Sequence, residues 1–268
     1  MLKKIILPGL IILIAFFGLF YGLSQIDWVT EFNVKQVRSS SENKIGELIW
    51  DEISSTEQVN TNDSIIKTLD KLLEPICKNN KIERDSLKIH IIEKDDINAF
   101  ALPNNHLVVY TGLITECKNQ EALQGVLGHE IAHIENNHVM KKLSKEIGLS
   151  VLLSASTGGK GSVVVKEILK SLSSSAYDRT LEKEADMTSV DYLLNANINP
   201  EPLADFMFEL AQQNDTSDSL YWISSHPESE ERAKYILDYL KGKKYKTQTT
   251  ISKTEWENYK KLIKEKTN

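Results

Sequence analysis

Five consecutive residues, His129-Glu130-Ile131-Ala132-His133, set two imidazoles four positions apart with a carboxylate beside the first. On a helix such positions differ by about 40° in azimuth, so both rings can reach one ion from a single face. Glu130 is offset enough to reach a water on that ion rather than the ion itself. Metal-assisted hydrolysis needs this arrangement: zinc lowers the pKa of its water to about 7, and a carboxylate takes the proton as the water attacks. A five-residue pattern can arise by chance. The helix that carries this one is apolar on most sides, however, and two histidines and a carboxylate at buried positions are costly unless a metal compensates them.

Catalytic zinc wants a third protein ligand and one open position. The HExxHxxGxxH continuation is absent, because Asn136 and Val139 stand where it needs Gly and His. His138 falls about 140° round a continuous helix from His133 and is expected to face elsewhere, in a polar or capping contact. Downstream, Leu181-Glu182-Lys183-Glu184-Ala185-Asp186 reads as helix, with Glu182 and Asp186 on one face and Glu184 pointing away. Glu182 can complete a His2Glu site. Asp186 can orient a ligand histidine through its other ring nitrogen, as carboxylates near zinc commonly do.

The elements that must hold these residues are mostly helical. Apolar periodicity predicts helices near Lys44 to Ile53 and Asp63 to Lys78, then one from an Asn119 cap to about Val139. Gly125 and Gly128 inside the last of these imply close packing against another element. Further helices are predicted at about Ala176 to Asn195, Pro202 to Gln213 and Ser229 to Leu240, with Asn214 to Ser219 as a break. Residues 147–172 read as a hairpin of two short amphipathic helices around Thr157 to Gly161. Three strands, around Leu87 to Ile92, Ala99 to Leu102 and Leu107 to Tyr110, form a small antiparallel sheet, with Asn104-Asn105 as a tight turn. His90 and His106 are expected to be surface residues of that sheet.

The two ends differ from the middle. Ile5 to Leu23 is uncharged, and 19 residues span roughly 29 Å as a helix, about the thickness of a bilayer's hydrocarbon core. Lys3 and Lys4 precede it, so the positive-inside rule keeps the N-terminus cytoplasmic. Residues 1–24 are therefore read as an anchor, with a cleaved secretory signal and a buried core helix as the alternatives. Residues 25–42 are a polar tether, 43–242 a catalytic domain, and 243–268 a basic tail read as solvated and partly helical around Trp256, Tyr259 and Leu262. From Lys241 onward there are nine Lys and three Glu, although the whole chain of 268 residues carries −6. An acidic balance of this kind argues against nucleic acid as a partner. Cys77 and Cys117 make no CxxC, and either a disulfide or two buried thiols is compatible with their spacing.

A family resemblance rests on three separated motifs in order: Asn98-Ala99-Phe100-Ala101-Leu102-Pro103 through Tyr110-Thr111-Gly112-Leu113-Ile114, then Gly128 to His133, then Glu182 with Ala185-Asp186. Over about residues 60–240 the chain resembles the zinc endopeptidases that include the CAAX prenyl protease, the mitochondrial inner-membrane stress protease and bacterial periplasmic quality-control proteases. The resemblance implies an α+β, mainly α, gluzincin core of minimal thermolysin-like type with a small antiparallel sheet. It implies one Zn2+ per chain on His129, His133 and Glu182, with Glu130 as general base. An edge strand at Asn98, Ala99 and Phe100 would pair with extended substrate. His226-Pro227 and Arg232 resemble a further family feature, so His226 would stabilise the oxyanion or gate the open zinc position, with Arg232 supporting it. Two departures stand out: Pro103-Asn104-Asn105 replaces a frequent Pro-Gly-Gly, and Glu228 replaces a frequent Pro.

With one anchor rather than many spans, the closest reading is a single-pass protease of a bacterial inner membrane. Its catalytic domain would be periplasmic and its substrates misfolded or misassembled envelope proteins. Two other classes stay open: a zinc-containing chaperone or assembly module that seldom cleaves, and a tethered scaffold whose HExxH is accidental.

Overall fold

The computed structural model describes residues 34–148, 150–152, 161–174, 177–212, 222, 225–227 and 229–267. The expected anchor at 1–24, the first half of the tether, the Thr157 to Gly161 turn except Gly161 itself, and the Asn214 to Ser219 break lie outside them. Among the described residues no helix is long and apolar enough to cross a membrane. The chain divides into Met1–Ser41, described only where its last residues are helical, and Glu42–Asn268.

Helix α1 (Val34–Thr56) starts ten residues before its expected position, so residues 34–42 of the predicted tether are helical. In α2 (Asp63–Asn80) the Asn62 side chain accepts from the Ser64 and Ile65 amides, and Ile65, Leu69, Leu72, Leu73 and Ile76 bury one face. Strands β1 (Lys88–Ile92), β2 (Ala99–Leu102) and β3 (His106–Tyr110) follow, in the spatial order β1-β3-β2. Asn104 and Asn105 both have positive φ, 63° and 60°, as a tight β2-β3 turn requires. The sheet is mixed rather than antiparallel: β2 pairs antiparallel with β3, and β1 pairs parallel with it. The chain between β1 and β2 takes β2 past β3 to the far edge, which leaves β1 to pair with β3 in the same direction.

Strand β3 is buried at all five positions because both sheet faces are covered. Leu107 and Val109 join the larger core with α2, while Val108 and Tyr110 join a second core with α1. His90 and His106 lie on the α1 face, which corrects their expected exposure. His106 is buried, its Nδ1 is 2.9 Å from His90 Nε2, and Trp50 stacks on the His90 ring.

After β3 come α3 (Thr111–Glu116), α4 (Gln120–Glu135), α5 (His138–Glu146), α6 (Gly161–Ser174), α7 (Arg179–Asn195), α8 (Glu201–Gln212), α9 (Ser229–Leu240) and α10 (Lys253–Thr267). Asn119 caps α4 by accepting from the Ala122 amide at 2.9 Å. The C-terminal segment is no solvated tail: Ile251, Trp256, Tyr259 and Ile263 are buried in the larger core. Gln120 of α4 fastens it, accepting from the Thr250 and Ile251 amides and donating to the Ile251 carbonyl. Cys77 and Cys117 are buried free thiols.

Candidate metal centre

Helix α4 brings His129, Glu130 and His133 into the interior, and its glycines admit the neighbours that complete the cluster. A Cβ on Gly128 would lie 2.8 Å from Ser189 Oγ of α7, and one on Gly125 would lie 2.7 Å from Leu203 Cβ of α8. Both helices therefore pack against α4 more closely than any side chain allows. Ser189 Oγ locks the first contact by donating to the Gly125 carbonyl at 2.8 Å. One and two turns earlier on α7, Asp186 and Glu182 then fall beside the two histidines.

The Nε2 atoms of His129 and His133 face each other at 2.9 Å. Glu182 Oε1 is 3.4 Å from His133 Nε2, and Glu182 Oε2 is 3.7 Å from His129 Nε2. His226, just before α9, closes the group with Nδ1 at 2.9 Å from Glu182 Oε1 and 3.3 Å from His129 Nε2. One donor atom from each of these four buried residues lies within 4.8 Å of the other three. Among the described residues it is the single cluster of three or more such groups with this convergence.

Charge is balanced around it. Asp186 Oδ1 lies 2.9 Å from His129 Nδ1, the ring nitrogen turned away from the cluster. Burial alone would lower the His129 pKa, yet the hydrogen bond and charge of Asp186 raise it above the ordinary imidazole value. His133 is held well below that value, by burial first and by His129 next. Burial opposes ionisation of Glu182, and the charges of His226 and Arg232 outweigh it, so this carboxyl sits well below its usual range. Arg232 makes a two-pronged contact with Asp186 at 2.8 and 2.7 Å, reaches Glu182 Oε2 at 2.7 Å and donates to the His226 carbonyl at 3.1 Å. Tyr235 donates to the same Asp186 carboxylate.

Glu130 stands at the rim, accepting from the Ala101 amide at 3.1 Å and from Trp222 Nε1 at 3.3 Å. The Ala101 amide therefore points to the open side of β2, the edge strand. By the two-residue period Ala99 shares that side. Asn98 and Phe100 turn the other way, and Asn98 is committed to β3 through its carbonyl, which accepts from the Tyr110 amide at 3.0 Å. Of the three residues expected to meet substrate, Ala99 has its main-chain groups on the side of β2 away from β3, where it is buried. Phe100 and Asn98 instead line an adjoining cavity of about 320 Å³ with Leu102, Tyr110, Leu169 and Leu172.

Several neighbours escape a reading of the sequence. His138 is fully buried with Nδ1 at 3.0 Å from His133 Nδ1, contrary to the helical-wheel expectation. Helix α4 stops at Glu135, and Asn137 adopts φ 55°, ψ 31°, so α5 leaves in a new direction and the azimuth of a continuous helix no longer applies. Glu184, expected to point away, is half exposed yet brings Oε2 to 3.3 Å from His138 Nε2. Tyr177 stacks on His133 with ring centroids 4.1 Å apart. Only the Asn136-Asn137 pair carried a signal, since Asn tolerates the left-handed region.

The donor set fits zinc: two imidazole nitrogens and a carboxylate oxygen converge in a buried pocket, with a second hydrogen-bonded carboxylate behind one ring. A sequence model described as Peptidase family M48 matches residues 65–240. Metalloprotease LoiP of Escherichia coli (strain K12) is 32% identical over 165 residues, which cover 59% of this chain and 65% of that protein. Metalloendopeptidase OMA1, mitochondrial, of Bos taurus is 31% identical over 167 residues, covering 55% of this chain and 31% of that protein. The beta-barrel assembly-enhancing protease of Yersinia pestis is 24% identical over 196 residues, covering 69% of this chain and 37% of that one.

Proposed function

Because this chain belongs to peptidase family M48, we propose that it is a zinc-dependent endopeptidase, one Zn2+ per chain, held by His129, His133 and Glu182. The observation that carries this reading is the convergence of those three side chains with Glu130 at their rim. When bound, the ion supplies acidification of water to a pKa of about 7 and polarisation of the scissile carbonyl. The chain's own residues supply the remaining steps. Extended substrate pairs with the edge of β2 on the side away from β3, at Ala99 and the Ala101 carbonyl, once the groups that bury that edge move aside, a mode that tolerates many sequences. An apolar substrate side chain enters the cavity beside Phe100. Glu130 takes a proton from the attacking water and delivers it to the leaving amide nitrogen.

His226 closes the cluster, with Nδ1 2.9 Å from Glu182 Oε1 and Nε2 3.3 Å from Glu130 Oε1, and would stand in the way of a substrate approaching a bound ion. Of its two expected roles this favours the gate: the ring must swing off the cluster before substrate is cleaved. Asp186 orients His129, and Arg232 holds Asp186, Glu182 and the His226 backbone in register. The gated, buried site also gives weight to the second reading, an assembly-binding module with little turnover.

The wider setting is part of the same proposal. Residues 1–24 anchor the chain in a bacterial inner membrane, the catalytic domain is periplasmic, and the substrates are misfolded or misassembled envelope proteins. Support comes from the uncharged run Ile5 to Leu23 and from the relative whose name ties it to β-barrel assembly. Cleavage of an unfolded test protein tests the activity. It should disappear with a zinc chelator and in Glu130→Gln, and unchanged cleavage in Glu130→Gln would refute the mechanism. Protease accessibility in intact and permeabilised cells tests the topology.

A further inference from the structure

Resting on the reading of His133 as a metal ligand, we propose that His138 and Glu184 form a hydrogen-bonded relay behind it. The relay fixes the tautomer in which the His133 Nε2 lone pair faces the ion. His138 is then a positioning residue, and Glu184 is its outer anchor.

Two imidazole nitrogens 3.0 Å apart, His133 Nδ1 and His138 Nδ1, share one hydrogen. If that hydrogen belongs to His138, the His133 hydrogen sits on Nε2 and blocks the metal position. If it belongs to His133, Nε2 is free to ligate, and the hydrogen of a neutral His138 ring must be on its own Nε2. The far end of the chain decides between these. Glu184 Oε2, 3.3 Å from His138 Nε2, is an ionised acceptor and cannot donate, so it pulls the His138 hydrogen to Nε2 and leaves Nδ1 as acceptor for His133. The polarity Glu184, His138, His133 follows from the chemistry of the terminal group.

The surroundings leave this as the specific constraint on the ring. Tyr177 stacks at 26° to the His133 ring and holds its plane, which does not determine where its hydrogen lies. His129 has its own partner in Asp186, 2.9 Å from Nδ1, a direct carboxylate contact. The two ligand histidines are thus oriented differently, one by a carboxylate directly and the other by a carboxylate acting through a buried imidazole. The helix break at Asn137 makes the second arrangement possible by turning His138 back onto His133.

The test is zinc affinity, measured on the purified full chain by competition with a chromophoric chelator and without substrate. His138→Phe keeps the ring's bulk and removes the acceptor, and should weaken zinc about 10- to 100-fold. His138→Asn places an amide oxygen near the Nδ1 position and should restore most of the loss. Glu184→Ala, at a half-exposed position that tolerates change, should weaken zinc toward the lower end of that range, and Glu184→Gln, which can accept but can also donate and so no longer fixes the polarity alone, should recover it in part. Wild-type affinity in His138→Phe or in Glu184→Ala would overturn the relay, as would an Asn variant no better than Phe. Should His138→Phe fail to fold, the Glu184 pair decides alone. A chain that binds zinc tightly yet cleaves nothing would refute the peptidase reading and leave these affinities to judge the relay.

Discussion

Replacing Arg232 by Met should damage the apo protein more than the zinc-loaded one. The guanidinium is 3% exposed and contacts two carboxylates, Asp186 at 2.7 and 2.8 Å and Glu182 at 2.7 Å. Removing it leaves two buried anions without their cation, and breaking a buried pair from one side costs about 3–5 kcal/mol. For a unit of this size each kcal/mol lowers Tm by about 2–4 °C, so a loss of roughly 6–20 °C is expected. Saturating zinc brings positive charge to Glu182 and should recover part of it. Adding Asp186→Asn should recover another part, because it removes a charge that has lost its partner. The effect should also depend on pH with a definite sign. Asp186 is held below its usual pKa chiefly by the Arg232 charge, against burial. Its contribution is therefore present above the ordinary carboxylate pKa and lost as pH falls through the folded value, so wild type and variant should converge in acid. Urea unfolding of the apo wild type and of the single and double variants at pH 7, pH 4 and about pH 2 measures this, with most of the convergence expected below pH 4, where the folded Asp186 carboxylate is protonated. A cost below about 1 kcal/mol at pH 7, or a double variant weaker than the single, would refute the charge argument.

Truncation after Gly242 should abolish folding, because Ile251, Trp256, Tyr259 and Ile263 are buried and together contribute roughly 6–12 kcal/mol, comparable with the whole stability of a domain; soluble, cooperatively unfolding truncated protein would contradict it. Burial against α1 lowers the His90 pKa from 6.5 to about 4, so stability should fall as pH drops from 6.5 toward 4, the interval in which the unfolded chain protonates and the folded one does not. The ceiling is about 3 kcal/mol and roughly half that after allowance for partial exposure. His90→Gln should flatten this part of the pH profile, and an unchanged slope would count against the assignment. His226→Ala should keep its zinc and raise basal cleavage of an unfolded protein if the ring is a gate, whereas a loss of activity would favour the oxyanion role.

Much of the centre could be read from the sequence because its geometry is local. His129, Glu130 and His133 share one uninterrupted helix, and Glu182 and Asp186 another, so the 3.6-residue period fixes which side chains share a face. His138 does not obey that period, because the helix ends at Asn136-Asn137. The left-handed tendency of Asn that predicts the Asn104-Asn105 turn also accounts for the break at Asn137. What covers a sheet face is not local: nothing near His106 in the chain announces that α1 lies over it. The parallel β1-β3 pairing depends likewise on where the connection to β2 crosses. The tail is a different failure. Trp256, Tyr259 and Ile263 recur at helical spacing and mark a buried face, whereas the lysine count that suggests a solvated segment includes Lys241, Lys243, Lys244 and Lys246, which precede the helix. Arg232 joining Glu182 to Asp186 links two helices through space, and no spacing rule predicts it.

The central claim is that Glu182 holds the metal and Glu130 moves the proton. Zinc content of the purified chain, measured beside cleavage of an unfolded protein, tests it most directly. The account predicts one zinc per chain in the wild type, one zinc and no cleavage in Glu130→Gln, and neither zinc nor cleavage in Glu182→Gln. Full zinc occupancy in Glu182→Gln, or no zinc in the wild type, would contradict it.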